Sequence, residues 1–190
     1  MSGEVNKVHY DLVDVHAALL TIVEGVVTFG TPKKLEGSIS LDLSAQGNLH
    51  KIRADGVVYW QDHSNQGYEG NLNVAQAPDW FRVAYLGEAL DGTDKVQVEN
   101  AEAEHAPFAL LFGFKGDKAR RCHVLYNCVA GRPGIKGENK ENEKDPDTES
   151  IPISAVPLPD GNVKASTTAD TTEAVVKGWY SAVWQKKAAG

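Results

Sequence analysis

Along much of the chain polar and apolar residues alternate with a period of two, which is how a strand with one covered face reads. Residues 38–44 (SISLDLS) place Ile39, Leu41 and Leu43 on one side and Ser38, Ser40, Asp42 and Ser44 on the other. Residues 68–74 (YEGNLNV) oppose Tyr68, Leu72 and Val74 to Glu69, Asn71 and Asn73. Residues 121–130 align Cys122, Val124, Tyr126, Cys128 and Ala130 on one side. Residues 150–154 (SIPIS) send Ile151 and Ile153 inward, and Pro152 suggests an edge strand or a bulge. Residues 108–114 (FALLFGF) are apolar on both sides and should be covered on both faces. With the 57–60 run and an early strand within 10–23, the expectation is a single, mainly β domain.

Helical spacing is rarer. Residues 79–86 follow Pro78, which suits a first turn, and precede Gly87 at the position after a helix end. Trp80, Val83 and Ala84 are their predicted buried stripe. A second helix is predicted over 173–184, opened by Asp170 with Glu173 and buried through Val176, Tyr180, Val183 and Trp184. Gly178 weakens it. Residues 131–149 read as a long, mixed-charge loop, and residues 45–52 with their flank to 67 as a second one. Asp-Gly pairs at 55–56, 91–92 and 160–161 mark turns, and GFKG at 113–116 reads as a hairpin turn.

Composition narrows the function. A chain of 190 residues, 20.5 kDa in mass, fits one domain. Scaling laws give it a folded surface of ~8,900 Å², enough burial for a core without disulfides or metal. The 26 acidic residues exceed the 19 basic ones, for a net charge of −7, which argues against a protein that grips phosphate backbones. Cys122 and Cys128, six apart in one strand, would be ~20 Å from each other, too far to bridge. The N-terminus lacks a signal pattern, and the apolar runs fall short of the ~18 residues needed to cross a bilayer. A protein made in a cytoplasm, with no membrane partner, is expected.

Catalytic signatures are missing. His9, His16, His50, His63, His105 and His123 form no metal-ligating spacing, and neighbours Cys122 and His123 point to opposite faces of a strand. Neither a G-x-S-x-G elbow nor a phosphate-cradling loop is present. Carboxylates are abundant, but an acid pair for glycoside hydrolysis needs an aromatic-lined cleft. Here the aromatics cluster as Tyr59–Trp60, Trp80–Phe81 and Trp179–Tyr180, and helix packing explains the last two. No enzyme, cofactor or metal site is expected, and a surface binding module is the stronger candidate on residues alone.

The order of motifs adds a specific likeness. VNKVHYDLVDVHAA at 5–18 is followed by GVVTFGTP at 25–32, GSISLDL at 37–43 and DHSNQGYEGNLNV at 62–74. PFALLFGF at 107–114, HVLYN at 123–127 and GWYSAV at 178–183 complete the series. In this order, from about residue 7 to 184, the chain resembles the phi-thirteen-type major tail proteins of long-tailed, non-contractile phages of Gram-positive hosts. The resemblance implies two packed β-sheets, a sandwich or partial barrel flanked by a short α-helix. It implies homohexameric rings that stack into a hollow tube for genome delivery, with one sheet of each subunit lining the lumen. Expected partners are further copies of the chain, a tape measure protein, a tail terminator and distal tail proteins. The expected location is the virion, and DNA should pass through without specific binding.

A lumen that carries DNA should not hold it, so the small polar and acidic strand faces are its predicted lining: Ser40, Asp42, Ser44, Glu69, Asn71 and Asn73. Ring-to-ring contacts are expected from the 45–67 region, the 131–149 loop and an N-terminal arm over 1–14. The candidates are Asn48, His50, Asp62, Asn65, Glu138, Asn139, Lys140, Glu141 and Lys144. The C-terminal helix and tail are expected over 170–190. The competing expectations are a stand-alone β-sandwich that binds carbohydrate or a host surface, and the tube of a related bacterial injection device.

Overall fold

The computed structural model describes residues 10–116, 121–137 and 146–187. In chain order they form β1 (Tyr10–Val23), β2 (Val26–Phe29), β3 (Lys33–Lys34), β4 (Ser38–Gln46), β5 (Leu49–Ala54), β6 (Val57–His63) and β7 (Gly67–Val74). Helix α1 (Asp79–Tyr85) follows, then β8 (Ala89–Leu90), β9 (Gln97–Val98), β10 (Phe108–Lys115) and β11 (Cys122–Ala130). The last elements are β12 (Glu149–Val156), β13 (Lys164–Ser166) and helix α2 (Glu173–Gly178). The fold is mainly β, as the alternation predicts.

One antiparallel sheet runs β2-β1-β10-β11-β12-β7-β4, with β3 added to β1 and β13 to β11. Strand β11 is shared. Its first half pairs with β13 (His123↔Ser166) and its second half with β12 (Cys128↔Ala155), so the sheet divides there into two leaves. The leaves pack on each other and stay open; among the described residues no barrel closes. Between them lies the main core, with Val15, Leu72, Leu110, Ile151 and Ile153 fully covered. Helix α1 plugs its side through Phe81 and Tyr85, whose rings lie 5.7 and 4.7 Å from that of Phe108. Burying one such ring is worth ~2–3 kcal/mol.

A second core covers the other face of β10 and β11, where Ala109, Leu111, Val124 and Tyr126 meet Trp179. The Trp179 indole N–H donates to the His123 carbonyl at 3.3 Å, and its ring stacks on Trp184. The run at 108–114 is therefore covered on both faces, as its composition predicts.

Several expectations need correction. Cys122 and Cys128 face different cores, because a bulge between Phe108 and Leu110 shifts the β10–β11 register and reverses the alternation of β11 after Tyr126. A bulge between Ser38 and Ser40 likewise turns Ile39 outward, 50% exposed, while the Ser38 hydroxyl donates to the Leu35 carbonyl. Strand β12 is central, not an edge. Its Pro152 is tolerated because it pairs with Asn71 while its carbonyl accepts from Gly131, just beyond the last paired residue of β11.

The helices also differ from expectation. In α1 the buried residues are Phe81 and Tyr85, whereas Val83 and Ala84 are exposed and Trp80 is half-buried. A helix this short turns one face to the core, and Phe81 and Tyr85, an i, i+4 pair, fill the space over Phe108. Gly87 does take the predicted left-handed conformation, φ +72°. Helix α2 stops at Gly178, half its predicted length, and Thr172 rather than Asp170 holds its N-cap position. Gly113 lies within β10 opposite Cys122, so GFKG is strand first and only Gly116 begins the turn.

Candidate assembly surfaces

The two core-facing leucines of β4, Leu41 and Leu43, oblige Ser40, Asp42 and Ser44 to point away from the core. On β7, Leu72 does the same for Asn71 and Asn73. Register then brings all six predicted lining residues onto one outer face: Ser40 opposite Asn73, Asp42 opposite Asn71, Ser44 opposite Glu69. Strand β12 extends the face with Ser150, Pro152 and Ser154 beside Asn73, Asn71 and Glu69. Five of these six residues are exposed and Asn73 is half-buried. No lysine or arginine occurs among them. At its border an open groove of about 640 Å³ runs past Gln46, His105, Pro152 and Ser154. The His105 ring bonds the Ala130 carbonyl at 2.7 Å.

The region read as a loop between β4 and β7 is instead a two-stranded arm, β5–β6. Asp55 and Gly56 turn it, both at positive φ, which is the hairpin turn that an Asp-Gly pair favours. Five of the six residues of β5 and all seven of β6 are exposed. Lys51, Arg53, Val58 and Gln61 share one side of the arm; His50, Ile52, Ala54, Val57, Trp60 and Asp62 share the other. Tyr59 is the extra residue at a bulge between them, 78% exposed. Among the predicted stacking residues, His50 and Asp62 lie opposite each other on the arm. Asn48 and Asn65 sit at its root. Asn48 is clasped by Ser64 through its main chain, and Asn65 accepts the Gly67 N–H at 3.1 Å. Glu138, Asn139, Lys140, Glu141 and Lys144 lie outside the described residues, as does most of the predicted N-terminal arm.

A smaller hairpin, β8–β9, was not foreseen, although the Asp91-Gly92 turn and the alternating VQV at 96–98 are its signals. Leu90, Val96 and Val98 are 53%, 57% and 51% exposed. From Glu88 to Glu104 inclusive the chain carries six acids and one lysine. The Asp91 carboxylate accepts the Asp94 and Thr93 N–H groups, which hold its pKa below the ordinary value. Arg132 secures the exit of the hairpin at Glu99, 2.9 Å away. Arg82 ties α1, which leads into it, to Glu149 at 2.8 Å.

Among the described residues no group of three or more His, Cys, Asp or Glu is placed to hold a metal ion, and no helix is long and apolar enough to cross a membrane. Cys128 is buried, and loss of hydration pushes its thiol up to about 12. Tyr180, half-buried against Cys122, is also raised, chiefly by burial and then by its bond to that thiol. No model of a known protein family matches the chain, and no curated protein matches it.

Proposed function

We propose that the chain is a structural subunit of a phage tail tube, a major tail protein whose copies form stacked hexameric rings around a DNA channel. The observation that carries this is the β5–β6 arm. A lone two-stranded hairpin is marginally stable in water, so one that stands clear of its own domain with Ile52, Val57 and Trp60 exposed is completed by another chain. Open sheet edges at β2 and β4 support the same reading, since a closed ring removes edges by pairing each with a neighbour.

The polar face of β4 and β7 supports its use as the lining. DNA carries about one negative charge per ~1.7 Å of axis. A basic wall would bind it and slow its passage, whereas Ser, Asn and scattered carboxylates repel it weakly. Each subunit would add its −7 to the ring. Tape measure, terminator and distal tail proteins are the proposed partners, in a virion assembled in the host cytoplasm.

Tyr59 and Trp60, exposed side by side, favour one rival: an aromatic platform for carbohydrate on a stand-alone domain. Size-exclusion and negative-stain microscopy of the purified chain separate the two. Rings or tubes support the tail reading; a monomer that binds cell-wall glycan supports the rival.

A further inference from the structure

We infer that the basic side of the β5–β6 arm seats on the β8–β9 hairpin of a second copy of the chain. This rests on the tube reading and supplies the partner surface that the arm contacts.

The apolar residues of both surfaces are exposed in their own subunit, and the two surfaces match in character. The arm offers exposed Leu49 and Val58 beside Lys51 and Arg53. The β8–β9 hairpin offers exposed Leu90, Val96 and Val98 among Asp91, Asp94, Glu99 and Glu102. Apolar groups supply buried area, and opposite charge around them sets register and rejects the arm's approach to its own kind. Neither patch is self-complementary, so a two-fold dimer leaves them unsatisfied.

Their placement gives the contact a direction. The arm springs from the Gln46–Gly67 end of the β4–β7 pair. Helix α1, which leads into β8, is tied to the other end, where Glu149 pairs with Val74 and its carboxylate accepts the Ala77 N–H at 3.0 Å. A contact between different patches is head-to-tail; it closes a ring where the rotation between copies closes, and where the patches lie at opposite ends of the leaf it repeats along the strand direction. That is the symmetry of stacking.

Two measurements on the full chain test this. Val58→Cys and Val96→Cys variants are mixed and oxidised, the native Cys122 and Cys128 being buried. A disulfide-linked pair containing one of each is expected. Separately, Lys51→Glu with Arg53→Glu should weaken self-association roughly ten-fold by sedimentation, and Asp94→Lys with Glu102→Lys by a similar factor. The variant carrying all four should recover it. Rings or tubes that form without the cross-link, with no recovery in the combined variant, overturn this seat and leave the tube reading standing. A chain that stays monomeric at every concentration, or whose arm binds only glycan, overturns both.

Discussion

The Asn73 side-chain amide of β7 donates to the Ser40 hydroxyl of β4 at 2.9 Å, so the polar face of this leaf is bonded to itself across the strands. Groups that satisfy one another need less from a passing ligand. With Asp42 and Glu69 as the charges of the six-residue face, its chemistry suits a wall along which DNA slides. Asp42→Lys with Glu69→Lys should slow genome delivery, because each new cation can hold a phosphate, while rings still assemble. Ejection kinetics measured at two salt concentrations check this. The slowing should fade at high salt; rates equal to wild type would count against a lining role.

Gly70 lets β4 and β7 approach. A Cβ at this position would collide with the Asp42 carbonyl, which is main chain and cannot rotate away. Gly70→Ala should destabilise the fold by about 1–3 kcal/mol, read as a lower urea midpoint with an unchanged slope.

Arg82 holds two carboxylates at once, Glu149 at 2.8 Å and Glu88 at 3.5 Å. Glu88 is only 8% exposed, so removing its partner leaves a charge in poor solvent. Arg82→Ala should cost about 1–3 kcal/mol and lower Tm by roughly 2–4 °C per kcal/mol at this size. Arg82→Lys should recover only part of the loss, since a single ammonium cannot fork between the two acids. Calorimetry of both variants decides it.

Alkaline solution should unfold the chain through its buried phenols. Burial pushes Tyr85 up to about 12; Tyr126 is also near 12, from burial and then the neighbouring Asp160 charge. Tyr180 is raised as well. Each favours the protonated form when folded, so its stabilising contribution is complete below the ordinary phenol pKa of ~10 and is lost as pH rises from there towards 12. Denaturant midpoints should fall steadily across that interval. A flat profile would contradict the burial.

Period-two patterning made the sheet readable, because Leu41, Leu43, Leu72 and Val74 can be covered only if their polar neighbours face out. That logic also puts Ser40, Asp42, Ser44, Glu69, Asn71 and Asn73 on one face. It failed where a strand gains a residue: the bulges beside Ile39 and in β10–β11 reverse parity, and a bulge leaves no mark in hydrophobic periodicity. The arm was legible only in part. Residues 57–60 read as strand, whereas β5 reads as loop, because both its faces are exposed and no core imposes alternation. Asp55-Gly56 reads as a turn in the sequence, and the hairpin it closes follows only once β5 is a strand. In α1, Phe81 and Tyr85 beat Trp80 and Val83 for the core through fit to Phe108, which depends on contacts far along the chain.

An electron-microscopy reconstruction of the assembled wild-type chain tests the central claim most directly. It should contain hollow six-fold rings in which Ser40, Asp42 and Asn71 face the channel and the β5–β6 arm reaches a neighbouring subunit. Isolated monomers at every concentration, or a tube whose channel is lined by another face, would contradict it.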